Sequence, residues 1–462
     1  MTVRVKRPFC VGLDVHKNNV WASVIIHSPD KPKAFHATRK FASNHHCLME
    51  LVNWIKSFQT AAAAPCDEIH VYMESTGKYS TPVYNVLEEC GLIPHLVNPK
   101  NVRTISGQKT DQKDCEWIAE LGSFGLLMDS YIPERAIRDA RAISRRRTKL
   151  VQQRADEHRR IRNVLTEANV RIDLIFSEVD GQSSRAVIQH LLDHEDPDLE
   201  SVRACINPRC NIVTYHSDEE RKEKGEALHR SYSGAKFSSS QKFVLRSSFS
   251  QLDKLSTEIE EHKSMMEEIL APYKDKLELL ETIPGISELS AMQILCEIGP
   301  DMKHFKSCKH FISWAGLCPA SNQSNNKHKS VKIGKGGTYL KPILIQCALN
   351  AYKYNPYYGR KFQSISKRRG KKRALIAIAR KMMVAAYYIL LTGEPFNPKD
   401  QEPNPTPSRT EKETYKQLNT ALFKSDNPSD DNVILALEVL TKAGVSIDQI
   451  NNLKLGLGVA QI

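Results

Sequence analysis

Four carboxylates in this 462-residue chain stand where carboxylates are either costly or paired. Asp14 interrupts the apolar run "VGLDV", and an unpaired carboxylate is expensive to bury there. Glu74 ends a second apolar run, "IHVYMES". In "KTDQKDCEWIAEL", Asp111 and Asp114 lie three apart at the expected start of a helix, which puts both on one face. Two strands and a helix can bring these four together, and converging like charges raise one another's pKa unless a cation neutralises them. Hard oxygen ligands of this kind suit Mg2+ or Mn2+. Two such ions about 3.5–4 Å apart can clamp the attacking and leaving oxygens of a phosphoryl transfer. Read alone, Asp111 is an N-cap, Asp114 a first-turn acid favoured by the helix dipole, and Glu74 a strand-end surface residue. The combination with Asp14 favours the metal site.

A nucleophile and cations for the same chemistry occur further on. In "WAGLCPASNQSNNKHKSVKIGKGGTYLKPILIQCA" the apolar residues stop at Pro319, and Ser324 is followed by Lys327, Lys329, Lys332 and Lys335. A serine hydroxyl attacks phosphorus only when a base or metal activates it and nearby cations stabilise the added charge. The "GKGG" turn at 334–337 offers amides to an anion. Chemistry alone scarcely separates Ser324 from Ser321 or Ser330. The stretch "GRKFQSISKRRGKKR", 359–373, holds eight basic residues and no acid: Arg360, Lys361, Lys367, Arg368, Arg369, Lys371, Lys372 and Arg373. Tyr352, Tyr354, Tyr357 and Tyr358 precede it, a mixture that suits phosphate contacts and stacking on bases, although the tyrosines could equally be core.

The elements that must position these groups follow from periodicity. Residues 8–42 read as a β-meander, "NHHCLMELVNWIKSFQTA" as a helix, "EIHVYMEST" as a strand, "TPVYNVLEECG" as a helix and "IPHLVNP" as a strand, giving a mixed α/β unit over 1–132. From Pro133 a long Arg-rich helix carries Ile137, Ile143, Leu150, Ile161 and Leu165. A second, from about 239 to 275, repeats Phe249, Leu252, Leu255, Ile259, Met266 and Ile269 at near-heptad spacing. The two are expected to pair as a coiled-coil spacer over 133–275, interrupted by an unassigned insert at 178–238. Residues 276–396 read as a mostly helical unit in which "LLETIPGISELSAMQILCEIG" resembles a helix-hairpin-helix or an ordinary αα-hairpin. A Pro-rich linker and a small helical tail occupy 397–462. The fold class expected is α/β plus α.

Composition narrows the partners. The formal charge is +13, yet residues 397–462 hold 7 Lys+Arg against 9 Asp+Glu, leaving +15 on the rest. Positive charge in blocks points to a polyanion such as nucleic acid. Eleven cysteines without recurring spacing, in a sequence that runs straight into a strand pattern, suggest a reduced, cytosolic protein. Cys205 and Cys210 lack the second pair a zinc site needs and read as structural. The apolar run "ALIAIARKMMVAAYYILL" carries Arg380 and Lys381 at its centre, which favours a buried or amphipathic helix over a membrane span.

"VGLDVHK", "ESTGKYSTPVYNVLEECGLIPHLVNPKNVR", "KTDQKD", "IPGISELSAMQILCEIG" and "WAGLCPASNQSNNK" with "KIGKGGTYLK" together resemble the DEDD transposases of bacterial insertion sequences, the insertion-sequence one-hundred-ten family. The resemblance runs in order over most of residues 8–396. It implies a RuvC-like, RNase H-fold N-terminal domain, a coiled-coil spacer and a transposase domain with a catalytic serine. Asp14, Glu74, Asp111 and Asp114 match the acidic tetrad that holds Mg2+ or Mn2+, and Ser324 matches the serine. The same resemblance implies recombination of DNA through a covalent phosphoserine, guided by a structured non-coding RNA. A homo-oligomer, dimer or tetramer, would build a composite site. One departure is local: the family's serine is usually followed by glycines, whereas Asn325 and Asn326 follow Ser324. Asparagine tolerates positive φ better than most residues. Competing readings are a RuvC-like nuclease that uses water, a non-catalytic nucleic-acid-binding derivative, and an ATPase of the related actin-like fold.

Overall fold

Alternation along the first strands sets the architecture. In the computed structural model, which describes residues 4–28, 33–59, 68–98, 110–319, 322–324, 327–330, 333–334 and 336–398, five strands form one mixed sheet. They are β1 (Phe9–Val15), β2 (Asn19–Ile26), β3 (Phe35–Ala42), β4 (His70–Glu74) and β5 (Ile93–Val97), in the order β3-β2-β1-β4-β5. The first three pair antiparallel as the expected meander, and β1–β4 and β4–β5 pair parallel. Side chains alternate across a strand, so Phe9, Val11, Leu13 and Val15 face one side. There they pack with Val71 and Met73 of β4 and with Leu48, Leu51, Ile55 and Val83, Leu87 of two helices, α1 (His45–Ser57) and α2 (Ser80–Glu89). Cys10 and Tyr72 face the other side and pack with Ile118 and Ala119 of α3 (Asp111–Ser123).

The two long helices fall where expected, as α4 (Arg135–Glu167) and, after the insert, α8 (Ser239–Leu270), and they meet through Leu150, Leu255 and Ile259. The unassigned segment contains α5 (Gln182–Asp193), α6 (Leu199–Ala204) and α7 (Asp218–Arg230). It has its own core, in which Val187, Ile188, Val202 and Leu228 pack on Ile161 and Leu165 of α4 and on Leu245, Phe249 and Leu252 of α8. Cys205 and Cys210 are free thiols packed against that core.

The C-terminal part consists of α9 (Lys274–Glu281), α10 (Glu288–Ile298), α11 (Cys308–Trp314), a hairpin of β6 (Asn322–Ser324) and β7 (Lys327–Ser330), then α12 (Leu340–Tyr354), α13 (Pro356–Arg369) and α14 (Lys371–Thr392). Its core reaches across the expected boundary near residue 275, because Ile137 and Ala140 of α4 and Met266 and Leu270 of α8 belong to it. Arg145 of α4 binds Glu297 of α10 through two 2.8 Å hydrogen bonds, and Arg141 donates to the Cys296 and Glu297 carbonyls at the end of the same helix. The α9–α10 turn packs onto α12: Gly285 has φ +92°, and a Cβ there would lie 2.6 Å from the Cys347 carbonyl oxygen. One described helix, α14, is long and apolar enough to cross a membrane. It buries Ile378, Met382, Met383 and Ala386 in this core and leaves Arg380 and Lys381 exposed, which is the amphipathic outcome. Residues 399–462, with the expected tail helices, lie outside the described residues.

Candidate active site at the carboxyl ends of β1 and β4

The strand alternation that buries Leu13 and Met73 on the α1/α2 side turns the next residues, Asp14 and Glu74, toward α3. Cys10, Val11, Gly12 and Leu13 pair in parallel register with His70, Val71, Tyr72 and Met73, so Asp14 and Glu74 follow side by side at the carboxyl ends of neighbouring strands. Ligands of open α/β sheets bind at such strand ends.

Helix α3 reaches the same edge because Gly12 leaves room for it. A Cβ at Gly12 would overlap the Cys115 carbonyl oxygen and the Ala119 nitrogen, both backbone atoms of α3. Thr110 caps the helix by accepting a hydrogen bond from the Lys113 amide at 3.3 Å. Asp111 and Asp114 then occupy its first turn, where the helix dipole favours negative charge. Asp111 is exposed, while Glu74 and Asp114 are half-buried and Asp14 is only 8% exposed.

The structure also brings in a residue that sequence reasoning passed over. His16, in the β1–β2 turn, places Nε2 3.0 Å from Asp14 Oδ2 and 3.6 Å from Asp111 Oδ1. Ligand atoms of Asp14, His16 and Asp111 all lie within 4.8 Å of one another. Its sequence signal was slight: a histidine two residues past a strand-end acid, in a segment legible only as a break between strands.

Electrostatics fit a cation here. Burial raises the Asp14 pKa above its ordinary 3.8; His16 opposes this, and Asp111 and Asp114 add to it. Ionised Asp14 is therefore short of positive charge, while its oxygen donors and those of Asp111 are the type that Mg2+ and Mn2+ accept.

Ser324 belongs to a separate two-stranded sheet, as the last residue of β6, paired with Lys327 of β7, and Asn325 and Asn326, which follow it, lie outside the described residues. Lys327 and Lys329 belong to β7, and Lys332 and Lys335 lie outside the described residues. The basic run divides between two helices: Arg360, Lys361, Lys367, Arg368 and Arg369 on α13 and Lys371, Lys372 and Arg373 in the first turn of α14, separated by Gly370. All but the half-buried Lys361 are exposed. Of the tyrosines before it, Tyr358 is core, Tyr352 stacks on Phe362 at 4.0 Å, and Lys361 lies over the Tyr357 ring at 4.5 Å. Tyr354, 83% exposed, is the one whose ring stands open for stacking.

Comparison with known proteins adds two family matches and two relatives. Residues 11–170 match a family model described as transposase, of the DEDD IS110 kind, and residues 277–364 match the transposase IS116/IS110/IS902 family. Over 129 residues the chain is 33% identical to the pilin gene-inverting protein of Moraxella bovis, and equally to that of Moraxella lacunata. The overlap covers 27% of this chain and 39% of each relative.

Proposed function

The chain belongs to the IS116/IS110/IS902 family of transposases, and from that premise we propose that it is the transposase of an insertion sequence, a DNA recombinase that cuts and rejoins strands through a phosphoserine. The observation that carries the reading is the convergence of Asp14 and Asp111, from two separate elements, with Glu74 and Asp114 on the same face. The mixed sheet with acids at its carboxyl edge supports a RuvC-like, RNase H-fold unit over residues 1–132, ahead of a helical spacer to 275 and a transposase unit over 276–396.

Asp14, Glu74, Asp111 and Asp114 would hold Mg2+ or Mn2+, which when bound supplies charge neutralisation at the scissile phosphate. The Ser324 oxygen attacks phosphorus: its bond to phosphorus forms as the bond to one sugar oxygen breaks. The hydroxyl proton passes to a base, and the leaving oxygen takes one up. Because the phosphodiester survives as phosphoserine, a hydroxyl from a second strand can attack it, release Ser324 and complete the exchange. Lys327, Lys329, Lys332 and Lys335 follow the serine in sequence and would neutralise the phosphate. The exposed cations of α13 and α14 would hold DNA or a structured guide RNA along their phosphates. Ser324 and the acids belong to different sheets, so the reading includes a composite site in a homo-oligomer. The gene-inverting proteins it resembles accord with recombination.

The test is a denaturing gel of the wild type, Ser324→Ala and Asp14→Ala with Mg2+, the element's junction DNA and its flanking non-coding RNA. A protein–DNA adduct present in the wild type and lost from both variants is expected, with the serine change costing on the order of 10⁴ or more in rate. Free cleaved DNA that survives Ser324→Ala would instead identify a hydrolase that uses water.

A further inference from the structure

We propose that His16 is a nitrogen ligand of the cation at Asp14 and Asp111, and that it biases this site toward Mn2+ over Mg2+. The inference rests on the metal-site reading above and adds to the acids a residue of different chemical character.

The placement is specific. The His16 amide bonds the Asn19 carbonyl at 2.9 Å in the turn that closes the β1–β2 hairpin, so the backbone under the imidazole is fixed. The side chain is 47% exposed, so burial does not fix where it points. It points at two carboxylates on different elements, Nε2 being 3.0 Å from Asp14 Oδ2 and 3.6 Å from Asp111 Oδ1. Neighbouring ligands of an octahedral ion with bonds of about 2.1 Å lie about 3.0 Å apart, and opposite ligands about 4.2 Å. The 3.0 Å separation matches neighbouring ligands, 3.6 Å falls between the two values, and the ligand atoms of all three residues lie within 4.8 Å of one another, so an adjustment of the side chains is needed to bring the three donors onto one ion. The 3.0 Å contact is a hydrogen bond when no ion intervenes; with an ion, Nε2 offers its lone pair and the proton resides on Nδ1.

The metal bias follows from the donor. Mg2+ is held by carboxylates, phosphates and water, whereas an imidazole nitrogen suits ions further along the first transition row. Four carboxylates alone would not discriminate in this way. One nitrogen among them does.

The experiment uses full-length protein with Mn2+ alone and Mg2+ alone as probes, and reads binding rather than turnover. Pulsed electron paramagnetic resonance of the wild type with Mn2+ is expected to show ¹⁴N coupling that disappears in His16→Ala. Calorimetry is expected to show Mn2+ affinity falling by about tenfold or more in that variant, in the range that removal of a supporting group costs a metal site, with a smaller loss for Mg2+. Mn2+ that binds in an Asp14-dependent way without ¹⁴N coupling overturns the role of His16 and leaves the acidic site standing. Mn2+ affinity unchanged by Asp14→Asn overturns both.

Discussion

A carboxylate that is 8% exposed between apolar strand neighbours ionises at a cost, and Asp14 does so with Asp111 and Asp114 close by. Its pKa in the fold is raised, first by burial and then by those acids. The fold therefore prefers the protonated form, and stability referable to Asp14 is full below its unfolded value of about 3.9. It is lost as pH rises through the higher folded value, leaving a constant penalty above it. In EDTA, Asp14→Asn is expected to melt higher than the wild type at pH 7, with the gap closing toward pH 4. Saturating Mn2+ should raise the melting temperature of the wild type alone. A variant that melts lower than the wild type in EDTA at neutral pH would contradict this account. The cost that exposes Asp14 in thermal melts is also what made it legible in sequence, because an acid inside "VGLDV" demands a partner. His16 was not legible for the converse reason: a polar residue in a turn costs nothing, and only the fold shows what it faces.

At the scale of elements, the site depends on how closely α3 lies on β1, and that approach depends on the missing side chain of Gly12. Gly12→Ala adds a methyl against two backbone atoms of α3, which cannot rotate away as a side chain would. Overpacking of this kind costs about 1–3 kcal/mol. The variant is expected to keep all four acids yet melt lower and bind Mn2+ more weakly, since Asp111 and Asp114 ride on the displaced helix. Melting and calorimetric titration equal to wild type would show that α3 does not need the contact. The strands and α3 could be read from sequence because the apolar runs of β1 and β4 and the acidic first turn of α3 are local patterns, although the residue that caps α3 is Thr110 and not Asp111. The insert at 178–238 could not. Helix α6 is six residues long, and α7 is charged along most of its length and buries only Gly225 and Leu228. Their apolar partners lie on α4 and α8, distant in sequence, so no local window carried the signal.

Across the whole molecule, charge is segregated by sign. The acids gather at one edge of the five-stranded sheet, while residues 359–373 carry eight basic residues and no acid on the ends of α13 and α14. The sequence marked that block and left its tyrosines open between stacking and core, and the fold places Tyr358 and Tyr352 in the packing of the C-terminal unit. Cations that neutralise phosphates release condensed counterions, so affinity falls with salt at a slope of about 0.9 per duplex phosphate contacted. Replacing Arg368, Arg369 and Lys372 together by alanine should therefore weaken binding to any duplex sequence to a similar degree. It should also flatten the plot of log affinity against log salt by about 2–3 if each makes one contact. Arg221→Ala with Lys222→Ala is the fitting control, because these exposed cations sit on α7 among Asp218, Glu219, Glu220 and Glu223, where the local field is mixed. The slope should not change there. A slope unmoved by the triple change would assign the block to the surface of the fold, and phosphate binding would then have to come from the lysines that follow Ser324.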